Sequence, residues 1–283
     1  AGDDGQQTDY LGRIVAGETA TLAWTGTNRH WDSRAVEGQW RRDGEGFVLD
    51  GTWRHVPDGH TADWLVIAAR ETGSEDDAGI GLFLVPGDAE GMHRRWLPTM
   101  DQTRRQAELG LDSVAVPASA CLGEAGAAAP ALNRVLDLAT IAVAADQVGC
   151  AQQALDTTVA YTQERVQFGR TIASYQAIKH RAADMMVQVE AGRSAIYYAA
   201  CVADQALTGQ CSDGELAEAA SIAKAWCSDA AFFTTGSGIQ LHGGVGFTWE
   251  YDIQLLFKRA KSAETLLGAA PLHRERLASA LLD

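Results

Sequence analysis

Two short runs concentrate the residue types that can hold an anionic nucleotide. The first is Glu164–Arg165–Val166–Gln167–Phe168–Gly169–Arg170, followed by Gln176 and by Asp184–Met185. An arginine in this setting can pair bidentately with a pyrophosphate, while Gln167 and Phe168 can hydrogen-bond or stack near an adenine. The second run is Gln240–Leu241–His242–Gly243–Gly244–Val245–Gly246–Phe247–Thr248, then Glu250–Tyr251. Its glycines let backbone amides approach a ligand without a Cβ in the way, as anion-cradling loops require. Each feature has a plain alternative: Gly243–Gly244 as an interhelical turn, Arg165 as a solvated or intrahelical ion pair, His242 as a hydrogen-bonded structural histidine. Taken together, the two runs favour a ligand.

Both runs interrupt a stretch rich in Ala, Leu, Gln and Met, whose composition predicts long helices over 131–163, 174–207 and 213–241 and a shorter one at the C-terminus. Breaks fall near Phe168–Gly169, Thr208–Gly209 and Gly243–Gly244, and Pro130 suits a first helical turn. An antiparallel bundle would bury such faces. Before residue 125 the chain is instead rich in Trp, Gly and Asp, with short runs around Gly46–Val48–Asp50, Trp64–Ile67, Gly81–Val85 and Val114–Val116 that read as strands. The expected division is 1–17 as the end of a helical region, 18–124 as a β domain and 125–283 as a helical domain.

Composition bounds the remaining possibilities. With 46% hydrophobic residues in 283, the chain can bury a sizeable core. A formal charge of −14 argues against a nucleic-acid partner, whose phosphates would be repelled over most of the surface. The five cysteines lack CxxC spacing, which predicts neither zinc site nor disulfide framework and fits a reducing cytosol. No apolar run reaches membrane-spanning length and the first residues do not read as a signal peptide, so a soluble, cytoplasmic protein is expected.

The two runs, in this order and at this separation, resemble the paired signatures of acyl-CoA dehydrogenases. Asp101–Arg104 and Val114–Pro117 look like that family's middle β domain, and Gln7–Glu18 like the helix end leading into it. The resemblance implies an α+β fold: a middle β-barrel or sandwich domain followed by a C-terminal four-helix bundle, with the N-terminal helical domain mostly absent. It also implies FAD as cofactor. Arg165, Gln167, Phe168, Gln176, Gln240, Gly243 and Gly244 would grip the adenosine diphosphate end of an FAD bound mainly by a neighbouring subunit.

The family's other positions depart. Its flavin-binding Gly-Ser turn is met by Thr25–Gly26–Thr27–Asn28–Arg29–His30–Trp31–Asp32, and its flavin-facing Trp-Ile-Thr strand by His55–Val56–Pro57, where proline offers neither hydroxyl nor backbone donor. Removing the α-proton of an acyl-CoA requires a carboxylate at the Cα–Cβ bond. The family's two placements of that glutamate correspond here to Leu267 and Ala139. No catalytic residue is therefore assigned; Glu264, three residues away, reads as a solvated or capping carboxylate, Asp137 and Asp146 as polar helix positions, and His273–Arg274–Arg276 as a solvated face or subunit contact. One half retained and the other missing resembles the non-catalytic subunit of bacterial α2β2 dehydrogenases acting on steroid side-chain CoA esters. The implied partners are a catalytic subunit, an acyl-CoA held mainly by that subunit, and an electron-transfer flavoprotein. A self-sufficient homotetramer using Glu264 and a flavin-free structural homologue stand as alternatives.

Overall fold

The computed structural model describes residues 1–28, 30–75 and 77–282. It divides into two compact units, Ala1–Val135 and Leu136–Asp283.

The first unit opens with helix α1 (Asp4–Val15), started by a reciprocal Asp3/Gln6 capping box. Gln6 also donates to the carbonyls of Ser119 and Cys121, at 2.9 and 2.8 Å, which ties the helix down. Seven strands follow: β1 (Ala20–Ala23), β2 (Gln39–Asp43), β3 (Gly46–Pro57), β4 (Trp64–Glu71), β5 (Ile80–Pro86), β6 (Met92–Leu97) and β7 (Gln106–Val116). They form one sheet in the order β1-β4-β2-β3-β7-β6, with β5 paired to β4. The expected strand runs lie in β3, β4, β5 and β7, and with β1, β2 and β6 they join one seven-stranded sheet. The reason is non-local: β1 and β2 both pair parallel with β4, a connection that local alternation does not encode. Trp40, Phe47, Trp53 and Phe83 fill the core. Each buried indole N–H finds a carbonyl, Trp40 on Gly79 at 2.8 Å and Trp53 on Ala68 at 2.9 Å. Near its end β3 carries a bulge between Trp53 and Val56, with His55 at φ 57°.

The second unit is helical. Helix α2 (Ala129–Glu164) gives way to a hairpin of β8 (Val166–Gln167) and β9 (Arg170–Thr171), then α3 (Gln176–Leu207), α4 (Asp213–His242), α5 (Ile253–Thr265) and α6 (Ala270–Leu282). Alanines at 219, 220, 223 and 231 keep α4 thin, so it is buried along much of its length. Among the described residues the expected single shorter C-terminal helix is two, α5 and α6, because the segment is cut at Leu266–Leu267–Gly268. Among the described residues no helix is long and apolar enough to cross a membrane.

Candidate functional site

Arg165 follows the last residue of α2; its N–H donates to Tyr161 O and its carbonyl accepts from Ile172 N, both at 2.9 Å. The hairpin turns over Phe168–Gly169, at φ 55° and 81°. A two-residue turn with both φ positive matches the twist of the flanking strands, but an L-residue there carries a cost of roughly 1–2 kcal/mol. Phe168 bears that cost with its side chain 92% exposed, so no packing within the chain offsets it. Arg165, Gln167 and Gln176 are exposed as well. Arg165 makes no ion pair with a described residue, which removes the intrahelical-pair alternative.

Helix α4 ends at His242, and Gly243 turns the chain at φ 66°. The nearby glycines have different reasons. Gly243 needs its left-handed conformation, and a Cβ on Gly246 would lie 2.6 Å from the carbonyl of Ile239. Gly244 has neither constraint, and a Cβ on Gly243 or Gly244 would meet nothing within 4 Å. Gln240 is exposed beside them. His242 is buried, donates from Nδ1 to Gly238 O at 2.7 Å and stacks on Tyr161 with 4.3 Å between ring centroids. Burial holds its pKa below the ordinary imidazole value despite that hydrogen bond, so it is a neutral structural histidine. Through Tyr161 the structure brings the two sequence runs together.

The two positions that the resemblance assigns to a base, 267 and 139, carry apolar residues. Leu267 is buried, 5% exposed, at φ 60°, and Ala139 is half-buried on α2. The turn around Leu267 is held by two residues that sequence reasoning missed or misplaced. Lys224 on α4 is fully buried and donates to the carbonyls of Ala263, Glu264 and Gly268 at 2.9, 3.1 and 3.0 Å, and to Ser228 Oγ at 3.1 Å. It thereby satisfies carbonyls that the end of α5 would leave unpaired. His273, expected on a solvated face, is instead fully buried, with Nε2 donating to Leu267 O at 2.9 Å and Nδ1 3.3 Å from Ser221 Oγ. Its expected neighbours on that face are also engaged: Arg276 pairs with the buried Asp137 at 2.9 Å, and Arg274 with Asp229. Asp146 takes Arg259 at 2.8 Å and Glu264 takes Lys261 at 2.9 Å, so both carboxylates are in ion pairs.

In the first unit, the turn that the resemblance sets against the family's flavin-binding turn is held by the chain's own contacts. Glu37 accepts from Thr27 N at 2.5 Å, Thr27 Oγ1 at 2.8 Å and Asn28 N at 3.0 Å. Burial pushes this carboxyl up, but those donors outweigh it and hold it below the ordinary carboxylate range. A Cβ on Gly26 would lie 2.1 Å from Glu37 Oε2, which explains the glycine. Trp24, buried, and Trp31 pack at 6.4 Å, and the Thr25 hydroxyl is spent on Arg54 O. Arg29 lies outside the described residues. His55 is exposed in the bulge, with Nδ1 3.2 Å from Gln106 Oε1.

The chemistry of these two regions differs. An exposed arginine without a counter-ion among the described residues, and glycines facing open space, fit the anionic, adenine-bearing end of FAD. A turn whose amides already hold a carboxylate does not fit its ring end. The family description "Acyl-CoA dehydrogenase, C-terminal domain" matches residues 129–282. Acyl-CoA dehydrogenase IpdE2 of Mycolicibacterium smegmatis is 41% identical over 171 residues, 60% of this chain and 47% of that protein, so the match spans about half of that relative's length. Butyryl-CoA dehydrogenase from Megasphaera elsdenii superposes with a TM-score of 0.91 at 28% identity, over 99% of this chain and 73% of that one. A glutaryl-CoA dehydrogenase from Mycobacterium smegmatis, solved with FADH2, superposes at 0.87 and 26% identity, over 99% and 70%. A family match over more than half the chain, the helical signatures at the ends of α2 and α4, and a fold shared along nearly its whole length lead to one conclusion: the chain belongs to the acyl-CoA dehydrogenase family.

Proposed function

We propose that this chain is the non-catalytic subunit of a heteromeric acyl-CoA dehydrogenase, holding the adenosine end of an FAD whose ring, together with the catalytic base, belongs to a partner subunit. The observation that carries the reading is Leu267: a buried leucine stands where the family's base would remove the α-proton, and leucine has no proton acceptor. FAD, when bound, supplies the acceptor for the β-hydride of the acyl-CoA. This chain's part is binding and orientation. Arg165 would meet the pyrophosphate, Gln167 and Phe168 the adenosine, and Gly243 and Gly244 would let backbone amides close on the ligand, with Gln176 and Gln240 at the edges. A bulky acyl group of the steroid side-chain class, and an electron-transfer flavoprotein as acceptor, are proposed with it on the resemblance to α2β2 dehydrogenases. The homotetramer alternative loses support because Glu264 is tied to Lys261.

The test is flavin absorbance of the chain expressed alone and together with a catalytic acyl-CoA dehydrogenase encoded beside it. Colour in the mixture alone supports the heteromer. Colour with acyl-CoA turnover in the lone chain, or a colourless mixture, refutes it. Arg165→Ala removes a charge-assisted contact worth about 1.5–3 kcal/mol, so FAD affinity of the complex should fall roughly 10- to 150-fold.

A further inference from the structure

We propose that Tyr161 and His242 are positioning residues of the adenosine-end site, setting the hairpin that carries Arg165 against the Gly243–Gly244 turn; the inference rests on the function proposed above. The two halves of that site come from different helix ends, and a ligand spanning them gains full affinity only if their spacing is fixed beforehand. The structure routes that spacing through one side chain. On its main-chain side, Tyr161 accepts from Arg165 N at 2.9 Å. On its side-chain side, the Tyr161 hydroxyl donates to His242 O at 3.2 Å while its ring stacks on the imidazole at 4.3 Å and 19°. One residue therefore grips both the ring and the carbonyl of the residue immediately before Gly243. Two-point attachment fixes the α4 end in direction as well as in position.

Three further features show that the arrangement is held on every side. Tyr251 meets both rings edge-on, at 5.8 Å from Tyr161 and 6.0 Å from His242, which anchors the segment after the glycine turn. His242 is prevented from rotating by its Nδ1 donation to Gly238 O at 2.7 Å. Gly238 is the close-approach point of α4, since a Cβ there would lie 2.8 Å from Thr158 Oγ1 and 2.7 Å from Ile253 Cδ1. His242 is only 3% exposed, so it acts through Gly243 and not by touching ligand.

The experiment uses the co-expressed complex and FAD as the probe. Tyr161→Phe keeps the ring stack and deletes the hydroxyl; Tyr161→Leu deletes both. Removing one aromatic stacking interaction should raise FAD half-saturation roughly two- to tenfold in Tyr161→Leu, with a smaller rise in Tyr161→Phe. Turnover at saturating FAD should stay at the wild-type level, because the reacting end is the partner's. In the lone chain, amide exchange should accelerate together at 166–170 and 243–247 in Tyr161→Leu, a readout that needs neither flavin nor partner. Unchanged half-saturation in Tyr161→Leu beside a clear loss in Arg165→Ala overturns the positioning role and leaves the proposed function standing. Unchanged half-saturation in both variants overturns the function itself. If Tyr161→Leu does not fold, wild-type exchange rates at both segments in Tyr161→Phe overturn the inference.

Discussion

Acidifying the protein should expose the burial of His273 as a loss of stability confined to one pH window. The imidazole is fully buried and is pushed down to about 4 from 6.5, first by loss of solvent, then by the neighbouring charges of Lys224 and Arg276, against its hydrogen bond to Leu267 O. Below 6.5 the unfolded chain takes up a proton that the folded chain refuses until about 4. Stability attributable to this group is therefore intact above the unfolded value, falls with decreasing pH, and is gone once pH passes the folded value. The gap corresponds to about 3 kcal/mol. Other groups titrate in the same range, so the reference is His273→Gln, which can still donate to Leu267 O but does not titrate. Urea unfolding of both proteins in steps from about pH 7 to about pH 4 should show wild type losing about 3 kcal/mol more than the variant. Two parallel stability curves would refute the reasoning, since they would mean that His273 charges as readily in the fold as outside it.

Two further substitutions test the β8–β9 hairpin and the Thr27–Asn28 turn separately. Phe168→Gly relieves a left-handed L-residue whose side chain is 92% exposed, so the lone chain should gain about 1 kcal/mol in urea unfolding while FAD retention by the complex falls. A variant that is neither more stable nor poorer in flavin would contradict the reading of the hairpin. Glu37→Gln weakens the contacts to Thr27 and Asn28 and should cost about 1 kcal/mol, with the lone chain remaining colourless in excess FAD. Flavin absorbance appearing in that variant would mean that Glu37 alone had kept the ring end closed.

Features that depend on local backbone chemistry were legible in the residues. Phe168–Gly169 and Gly243–Gly244 mark helix ends because glycine lowers the cost of positive φ, and the structure has the breaks at those places. The strand runs at β3, β4, β5 and β7 follow from hydrophobic patterning. The features that stayed illegible are set by tertiary contacts. Gly268, at φ 97°, and Pro271 beyond it mark the end of α5 in the residues; what local reading does not reveal is that Lys224 and His273, outside that segment, hold the break. Arg274 and Arg276 are exposed, as a solvated face requires, and each also pairs with a carboxylate, on α4 and α2 respectively. The parallel pairing of β1 and β2 with β4 likewise joins segments too distant for local patterning to connect.

The contrast between two groups of residues bears on the proposed function. In the second unit Leu267 is buried with its carbonyl taken by His273, and in the first the amides of Thr27 and Asn28 are taken by Glu37. Around the β8–β9 hairpin and the end of α4 the groups lack such partners: Phe168 is at positive φ as Leu267 is, but in solvent, Arg165 has no counter-ion among the described residues, and Gly244 faces open space that no packing demands. A chain that had given up the cofactor entirely would be under no pressure to keep the second set, because Phe168→Gly or a larger residue at 244 would be neutral or stabilising for the chain alone. Phe168 at positive φ in solvent, where Leu267 at φ 60° is packed and hydrogen-bonded, supports the proposal that another chain supplies the missing contacts, and it weighs against a purely structural homologue.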